Sequence, residues 1–142
     1  MASHYDAAAK CRVGTMDEKQ FYAEASKANG AYFKSLLKSW QENGGSVKWG
    51  AGGAGLRQAI GGKEVGICFL APAFAGKKDR IELSLTILAK QIGAPRCEAF
   101  KAALRSAAGE QMKGATMVCI VEPGNLAPAA QKALNAALRD LD

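Results

Sequence analysis

The chain has 142 residues, of which 49% are hydrophobic and 23% are charged, and these values are typical of one globular domain. No stretch approaches the run of about 18 apolar residues that a membrane-spanning helix needs, so we expect no membrane partner. The formal net charge is +6, an excess of basic residues that favours polyanionic partners.

Cysteine and histidine usage excludes several kinds of chemistry. Cys11, Cys68, Cys97 and Cys119 are far apart, so the sequence holds neither a C-x-x-C redox pair nor a zinc knuckle. The N-terminus lacks the basic start and apolar core of a secretory signal, so we expect a cytoplasmic protein with reduced thiols. His4 is the only histidine, which disfavours a histidine-based triad or metal site. We therefore expect neither an enzyme nor a cofactor.

The N-terminal third is predicted to be an arm followed by a long helix. Residues 1–14 show no periodicity and predict a flexible arm, and residues 15–142 predict a single α+β domain. Thr15 and Glu18 have the spacing of a capping box at the start of the helix. The apolar stripe of this helix, which we expect to be core, consists of Phe21, Ala25, Ala28, Tyr32, Leu36 and Trp40.

The centre of the chain has the patterns of strands. Ser46 to Trp49 is short and β-prone. Gly55 to Ile60 either continues this strand beyond a glycine bend or pairs back on it as a second short strand, and Leu56 to Ile60 is compatible with a strand or a helix. Glu64 to Leu70 is apolar on both alternating faces, which predicts a central strand covered on both sides. Arg80 to Ile87 alternates strictly and predicts a half-buried strand. A helix is the alternative there, because Ile81, Leu85, Leu88 and Ile92 fall at helical spacing.

The C-terminal part predicts a helix, a strand and a second helix. Pro95 suits the first turn of a helix that Gly109 ends. Ala115 to Val121 is again apolar on both faces, and Asn125 is the predicted cap of the last helix. The predicted fold is therefore α+β, with a mostly antiparallel sheet of about four strands and the order α-β-β-β-α-β-α, and with helices covering both faces of the sheet.

A glycine-rich run lies between Trp49 and Arg57. Gly50, Gly52 and Gly55 match G-x-G-x-x-G, but Gly61 and Gly62 interrupt the chain before a helix long enough for a dinucleotide site can form. The missing G-K-[ST] ending excludes a P-loop. Two interpretations stay open: a bent strand whose glycines admit a packed helix or tryptophan, and an anion-binding nest assisted by Arg57.

Basic residues accompany the glycines. No acidic residue occurs between Gly45 and Lys63, and the densest basic cluster is Lys77-Lys78-Asp79-Arg80. We predict a non-catalytic binding or accessory module that recognises nucleic acid, another polyanion or a protein. A second copy or a protein could also pair with an exposed strand edge, either at Ser46 to Trp49 or at the alternating strand from Arg80 to Ile87. The candidate binding residues are Lys48, Gly50, Gly52, Gly53, Gly55, Arg57, Lys77, Lys78 and Arg80.

Asp79 and Glu82 carry the alternative function. From Asp17 to Glu122, the order helix, three strands, helix, strand is similar to the core of the PD-(D/E)xK nuclease superfamily. That resemblance implies a divergent metal-dependent nuclease-like domain in which these two carboxylates hold a divalent ion. The sequence departs from the family pattern, because it contains no Pro-Asp pair and has Ser84 where the family has lysine.

Overall fold

A computed structural model describes residues 15–74 and 76–141 in full, and before them only the backbone of β1 (Tyr5–Asp6) and β2 (Cys11–Arg12). These two strands pair antiparallel, with Tyr5 opposite Arg12. The rest of the predicted arm lies outside the described residues. The helices are α1 (Glu18–Glu24), α2 (Lys27–Glu42), α3 (Leu85–Ile92), α4 (Ala94–Ala108) and α5 (Pro128–Arg139). The further strands are β3 (Ser46–Gly50), β4 (Gly53–Ile60), β5 (Lys63–Ala71), β6 (Arg80–Ser84), β7 (Met112–Lys113) and β8 (Met117–Val121).

The further strands form one six-stranded sheet in the order β3-β4-β5-β6-β8-β7, and each neighbouring pair is antiparallel. This confirms the predicted α+β class. The strand count exceeds the prediction because the glycine run turns back into a hairpin and because β7, with two residues, is too short to show a pattern. Within the described part of the chain, no helix is both long and apolar enough to cross a membrane.

The helices share one core with a single face of the sheet, here called the inner face. Leu70, Ile81 and Ile120 form one row of that face, and all three are buried. Each of the five helices contributes its buried side chains to the same cluster. The opposite or outer face contains a row that runs from β3 to β7 through Lys48, Gly55, Phe69, Glu82, Cys119 and Lys113, each partly or fully exposed.

The prediction that helices cover both faces of the sheet is therefore wrong. Strand β5 looked apolar on both sides partly because of a β-bulge: Leu56 pairs with Cys68 and Arg57 with Gly66, so Ile67 is an extra residue. Ile67 and Cys68 both enter the core in succession. A run of apolar letters does not distinguish this local shift from a strand covered on both faces.

The predicted long N-terminal helix is two helices, separated at Ala25 and Ser26. Ser26 has extended backbone angles and is the N-cap of α2, with its Oγ accepting from the Asn29 amide at 3.3 Å. The capping box at Thr15 is also wrong, because Asp17 is the cap of α1 and accepts from Gln20 N at 2.7 Å. The stripe prediction is confirmed for Phe21, Tyr32, Leu36 and Trp40, which are all buried.

Two other boundaries differ from the predictions. Arg80 to Ser84 is a strand, but the helix α3 begins at Leu85, so each of the two patterns read there is right for one half of the segment. The last helix begins at Pro128, because Pro123–Asn125 form a 3₁₀ turn and a proline fits the first helical position. The segment Leu56 to Ile60 is a strand.

A buried polar cluster joins three distant segments on the helix side of the sheet. Asn29 and Asp79 are 2% and 4% exposed. The Asp79 carboxylate accepts from Ser26 N at 2.9 Å, from Asn29 Nδ2 at 3.3 Å and from Ala73 N at 2.7 Å. Asn29 Oδ1 in turn accepts from Gly124 N at 2.7 Å. The start of α2, the connection before β6 and the turn after β8 are thereby tied together.

Candidate functional site

The outer face contains a recess of about 350 Å³ over strands β3, β4 and β5. We call it the glycine recess. It is lined by Lys48, Trp49, Gly50, Gly55, Leu56, Arg57, Gly66, Cys68 and Phe69. Four of the predicted binding residues, Lys48, Gly50, Gly55 and Arg57, therefore meet at one place.

The register of the sheet produces this arrangement. Lys48 lies opposite Gly55, which lies opposite Phe69, so the three form one row across the outer face. Arg57 is two residues from Gly55 and lies opposite Gly66. Because side chains alternate along a strand, Gly66 and Phe69 would point to opposite faces in a regular β5. The extra residue Ile67 turns both toward the outer face.

Neither a positive φ nor a close contact requires glycine at the three strand positions of the recess. Gly50, Gly55 and Gly66 do not have positive φ angles. A Cβ built on them would lie no closer than 3.5 Å to other atoms, which is ordinary van der Waals contact. Glycine in a strand costs about 0.5–1 kcal/mol relative to alanine. Glycines within strands mark bulges, tight bends or places where a ligand or another backbone approaches closely. Gly66 adjoins the bulge at Ile67 and Gly50 ends β3 at the hairpin turn, whereas Gly55 lies at neither feature.

Gly53 differs from these glycines. Its φ is +149°, and a Cβ there would lie 2.0 Å from the carbonyl oxygen of Leu70. Gly53 is therefore needed for the close packing of β4 on β5, and it is buried rather than part of the recess. Gly52 lies in the turn, with its Cβ position 3.5 Å from Phe69 Cε2.

The two cations of the recess have different surroundings. Among the described residues, no carboxylate lies within ion-pair distance of Lys48, which is exposed. Arg57 Nε lies 3.5 Å from Glu64 Oε1, and the carboxylate side of the pair is well exposed. Exposed pairs of this kind contribute about 0–1 kcal/mol, so an incoming anion can compete for the guanidinium.

The other predicted basic residues do not line the recess. Lys77 lies in the connection before β6, where it bridges to Phe74. Lys78 Nζ is 3.8 Å from Glu122 Oε1. Arg80 is on the outer face and donates from Nε to Glu82 Oε2 at 2.6 Å. The second half of the predicted face is thus largely neutralised by local acids.

The two carboxylates of the nuclease alternative do not meet. Asp79 is directed to the start of α2, where both of its oxygens accept hydrogen bonds. Glu82 is on the outer face, opposite Phe69 and Cys119. Within residues 15–74 and 76–141, no group of three or more His, Cys, Asp or Glu side chains could hold a metal ion.

The cysteines give no activated nucleophile among the described side chains. Cys68, Cys97 and Cys119 are free thiols, whereas the Cys11 side chain lies outside the described residues. Burial raises the pKa of all three thiols, and the nearby Glu82 carboxylate further raises the pKa of Cys119. Protonated thiols are poor nucleophiles and metal ligands at neutral pH.

The strand edge proposed for protein pairing is formed by β3. The carbonyl oxygen of its last residue, Gly50, accepts from Met16 N at 3.0 Å, so that end of the edge already has a partner. Pairing of the remaining edge with a protein or a second copy stays a prediction.

Sequence reasoning missed Phe69 as a site residue. The pattern of Glu64 to Leu70 predicts a strand covered on both sides, whereas Phe69 is partly exposed on the outer face. The Trp49 ring is on the inner side, with its centroid 5.5 Å from that of Phe21. The signal for Phe69 was present only in the pairing register, which the sequence does not display.

Comparisons of the chain with protein-family models, with curated proteins and with solved structures found no match.

Replacing the carboxylates of Asp79 and Glu82 by amides separates the roles of these two residues. Asp79→Asn places an NH₂ group among three donors, and we expect the free energy of unfolding to fall by about 3 kcal/mol. Glu82→Gln keeps an acceptor for Arg80 on a half-exposed surface and is expected to cost less than about 1 kcal/mol. Urea denaturation measures both; equal losses would contradict the structural role of Asp79.

Alanine substitutions test whether the recess glycines serve the fold. Gly55→Ala and Gly66→Ala are each expected to raise the free energy of unfolding by about 0.5–1 kcal/mol, because neither creates strain. The matched control Gly53→Ala is expected to lower it by at least about 2 kcal/mol, because its Cβ meets a backbone oxygen. If Gly55→Ala destabilised the protein as much as Gly53→Ala does, the fold itself would require Gly55.

Proposed function

We propose that this protein is a non-catalytic binding module that recognises an extended polyanion through the glycine recess on the outer face of its sheet. The observation that supports this most directly is the set of three strand glycines that neither backbone conformation nor packing requires, lying between Lys48 and Arg57. Bare backbone beside two cations lets an anionic chain lie close to the sheet.

The charges of this part of the sheet favour an anion. Lys48 has no acidic partner among the described residues, and the pair between Arg57 and Glu64 is exposed. Glu82 is the only acid in the row through Phe69, and Arg80 neutralises it. A polyanion that contacts these cations also releases its condensed counterions, which adds to the affinity and makes it depend on salt.

The shape of the recess favours part of a long ligand over an enclosed small molecule. Its volume of about 350 Å³ is at the lower end of the range for ligand pockets. It lies on a sheet face over three adjacent strands rather than between two layers of the fold. A linear polymer can enter and leave such a site at its two ends.

Two double variants with the same net charge test the proposal. Lys48→Gln/Arg57→Gln changes the recess, and Lys34→Gln/Lys38→Gln removes two exposed charges from α2, so each variant falls from +6 to +4. We expect the recess variant to bind a mixed-sequence single-stranded DNA of about twelve nucleotides about tenfold more weakly at about 50 mM salt. Its dependence of log affinity on log salt should be shallower by about 1.4, since each phosphate contact accounts for about 0.7.

Fluorescence anisotropy across a salt series measures both quantities, and backbone amide shifts locate the contact. The α2 variant is expected to retain most of the wild-type affinity and the wild-type salt slope. Equal weakening in both variants would show that only overall charge matters, which would contradict a site at the recess. Absence of binding by the wild-type protein at low salt would refute polyanion binding itself.

A further inference from the structure

Phe69 lies beside the glycines of the recess and outside the hydrophobic core. Its Cε1, Cε2 and Cδ1 atoms lie 3.9, 3.5 and 3.8 Å from the Cβ positions of Gly50, Gly52 and Gly55, so the ring extends from β5 across β4 to the turn after β3. It is partly exposed, and it belongs neither to the core cluster nor to the side chains packed against that cluster. Among the described residues, no other aromatic ring stacks on it.

The Phe69 ring covers the glycines of the recess and does not fill the core. On the β3–β4 side, the neighbours of this partly exposed ring are glycines, which place no side chain over it, whereas Glu82 lies opposite it on β6. The glycines cost stability, and a Cβ on Gly50, Gly52 or Gly55 would touch the ring without clashing. Their absent side chains therefore leave the ring accessible rather than make space for it.

The cations lie at a distance that suits a nucleotide. Lys48 is in the same row as Phe69 and two strands away, which is about 10 Å between backbones. Arg57 lies on the intervening strand. A flat ring with two cations beside it matches a polymer that alternates flat bases with negatively charged phosphates. An acidic peptide would satisfy the cations but would make no use of the ring.

From these observations we infer that the polyanion is a single-stranded nucleic acid and that one of its bases stacks on Phe69, an inference that rests on the proposed function. In a duplex, neighbouring base pairs cover the faces of each base, whereas in a single strand a base can turn its face to a protein ring. The glycines around Phe69 offer no side-chain donors or acceptors to read base edges. Binding therefore discriminates little between sequences.

The test compares two ligands with equal numbers of phosphates. One is an oligothymidylate of about twelve nucleotides and the other is an abasic strand of the same length. We expect the wild-type protein to bind the thymidylate about tenfold more tightly than the abasic strand, because only the former can stack. Phe69→Leu keeps an apolar side chain over the glycines and is expected to bind both strands equally, at the affinity of the abasic strand.

Two controls accompany the comparison. Phe69→Trp restores a stacking surface and should recover the preference for thymidylate. Thermal unfolding of Phe69→Leu should resemble that of the wild-type protein, so that any loss of binding reflects the ring and not the fold. A duplex of the same length carries twice as many phosphates. We expect its binding free energy, divided by the number of phosphates, to be no more favourable than that of the abasic strand.

Each remaining outcome decides a different claim. If the wild-type protein binds both strands equally and Lys48→Gln/Arg57→Gln weakens both, the polyanion proposal stands and base stacking is wrong. If the preference for thymidylate survives in Phe69→Leu, bases contact another part of the protein and the role of Phe69 is wrong. If the wild-type protein binds neither strand, the proposed function fails and this inference fails with it.

Discussion

The buried carboxylate of Asp79 is the interaction on which the arrangement of helices and sheet depends. An ionised carboxylate away from water is costly unless it is fully hydrogen-bonded. Here Ser26 N, Asn29 Nδ2 and Ala73 N supply the donors. Because Ser26 is the N-cap of α2, the carboxylate also lies at the positive end of that helix. The Asn29 side chain then holds Gly124, where a Cβ would come within 2.5 Å of the Ala28 carbonyl oxygen. Helix α2 is thereby fixed over the inner face of the sheet, and the glycine recess lies on the outer face.

One-sided burial separates residues that serve stability from those available for binding. The inner row through Leu70, Ile81 and Ile120 is apolar and buried, and truncating these side chains would create cavities. The outer row contains a cation, a glycine, an aromatic ring and a neutralised acid within four strands. Gly50, Gly55 and Gly66 together cost about 2 kcal/mol relative to alanine. Since the net stability of a domain is about 5–15 kcal/mol, this cost is substantial.

Local patterns in the sequence predicted the elements well where the cause of the structure is local. The stripe from Phe21 to Trp40, the strand ends at glycine turns and the helix after Pro95 follow from spacing and turn chemistry. The break at Ser26 was missed because Asp79, 53 residues away, stabilises the new helix start. Lys48 and Arg57 could be assigned to one site from their acid-free context, but Phe69 could not, since its exposure depends on pairing between strands.

The bulge at Ile67 is the one feature that serves both faces of the sheet. In a regular strand, Gly66 and Phe69 would alternate to opposite sides, and either the ring or the open backbone beside Arg57 would be lost from the recess. The extra residue allows both to face outward while Ile67 itself fills the core. A bulge disrupts pairing locally, and this one is compensated on the same strand by the burial of Ile67 and Cys68 in succession. The bulge at Ile67, which made β5 look apolar on both faces in the sequence, thus also brings Gly66 and Phe69 together in the glycine recess.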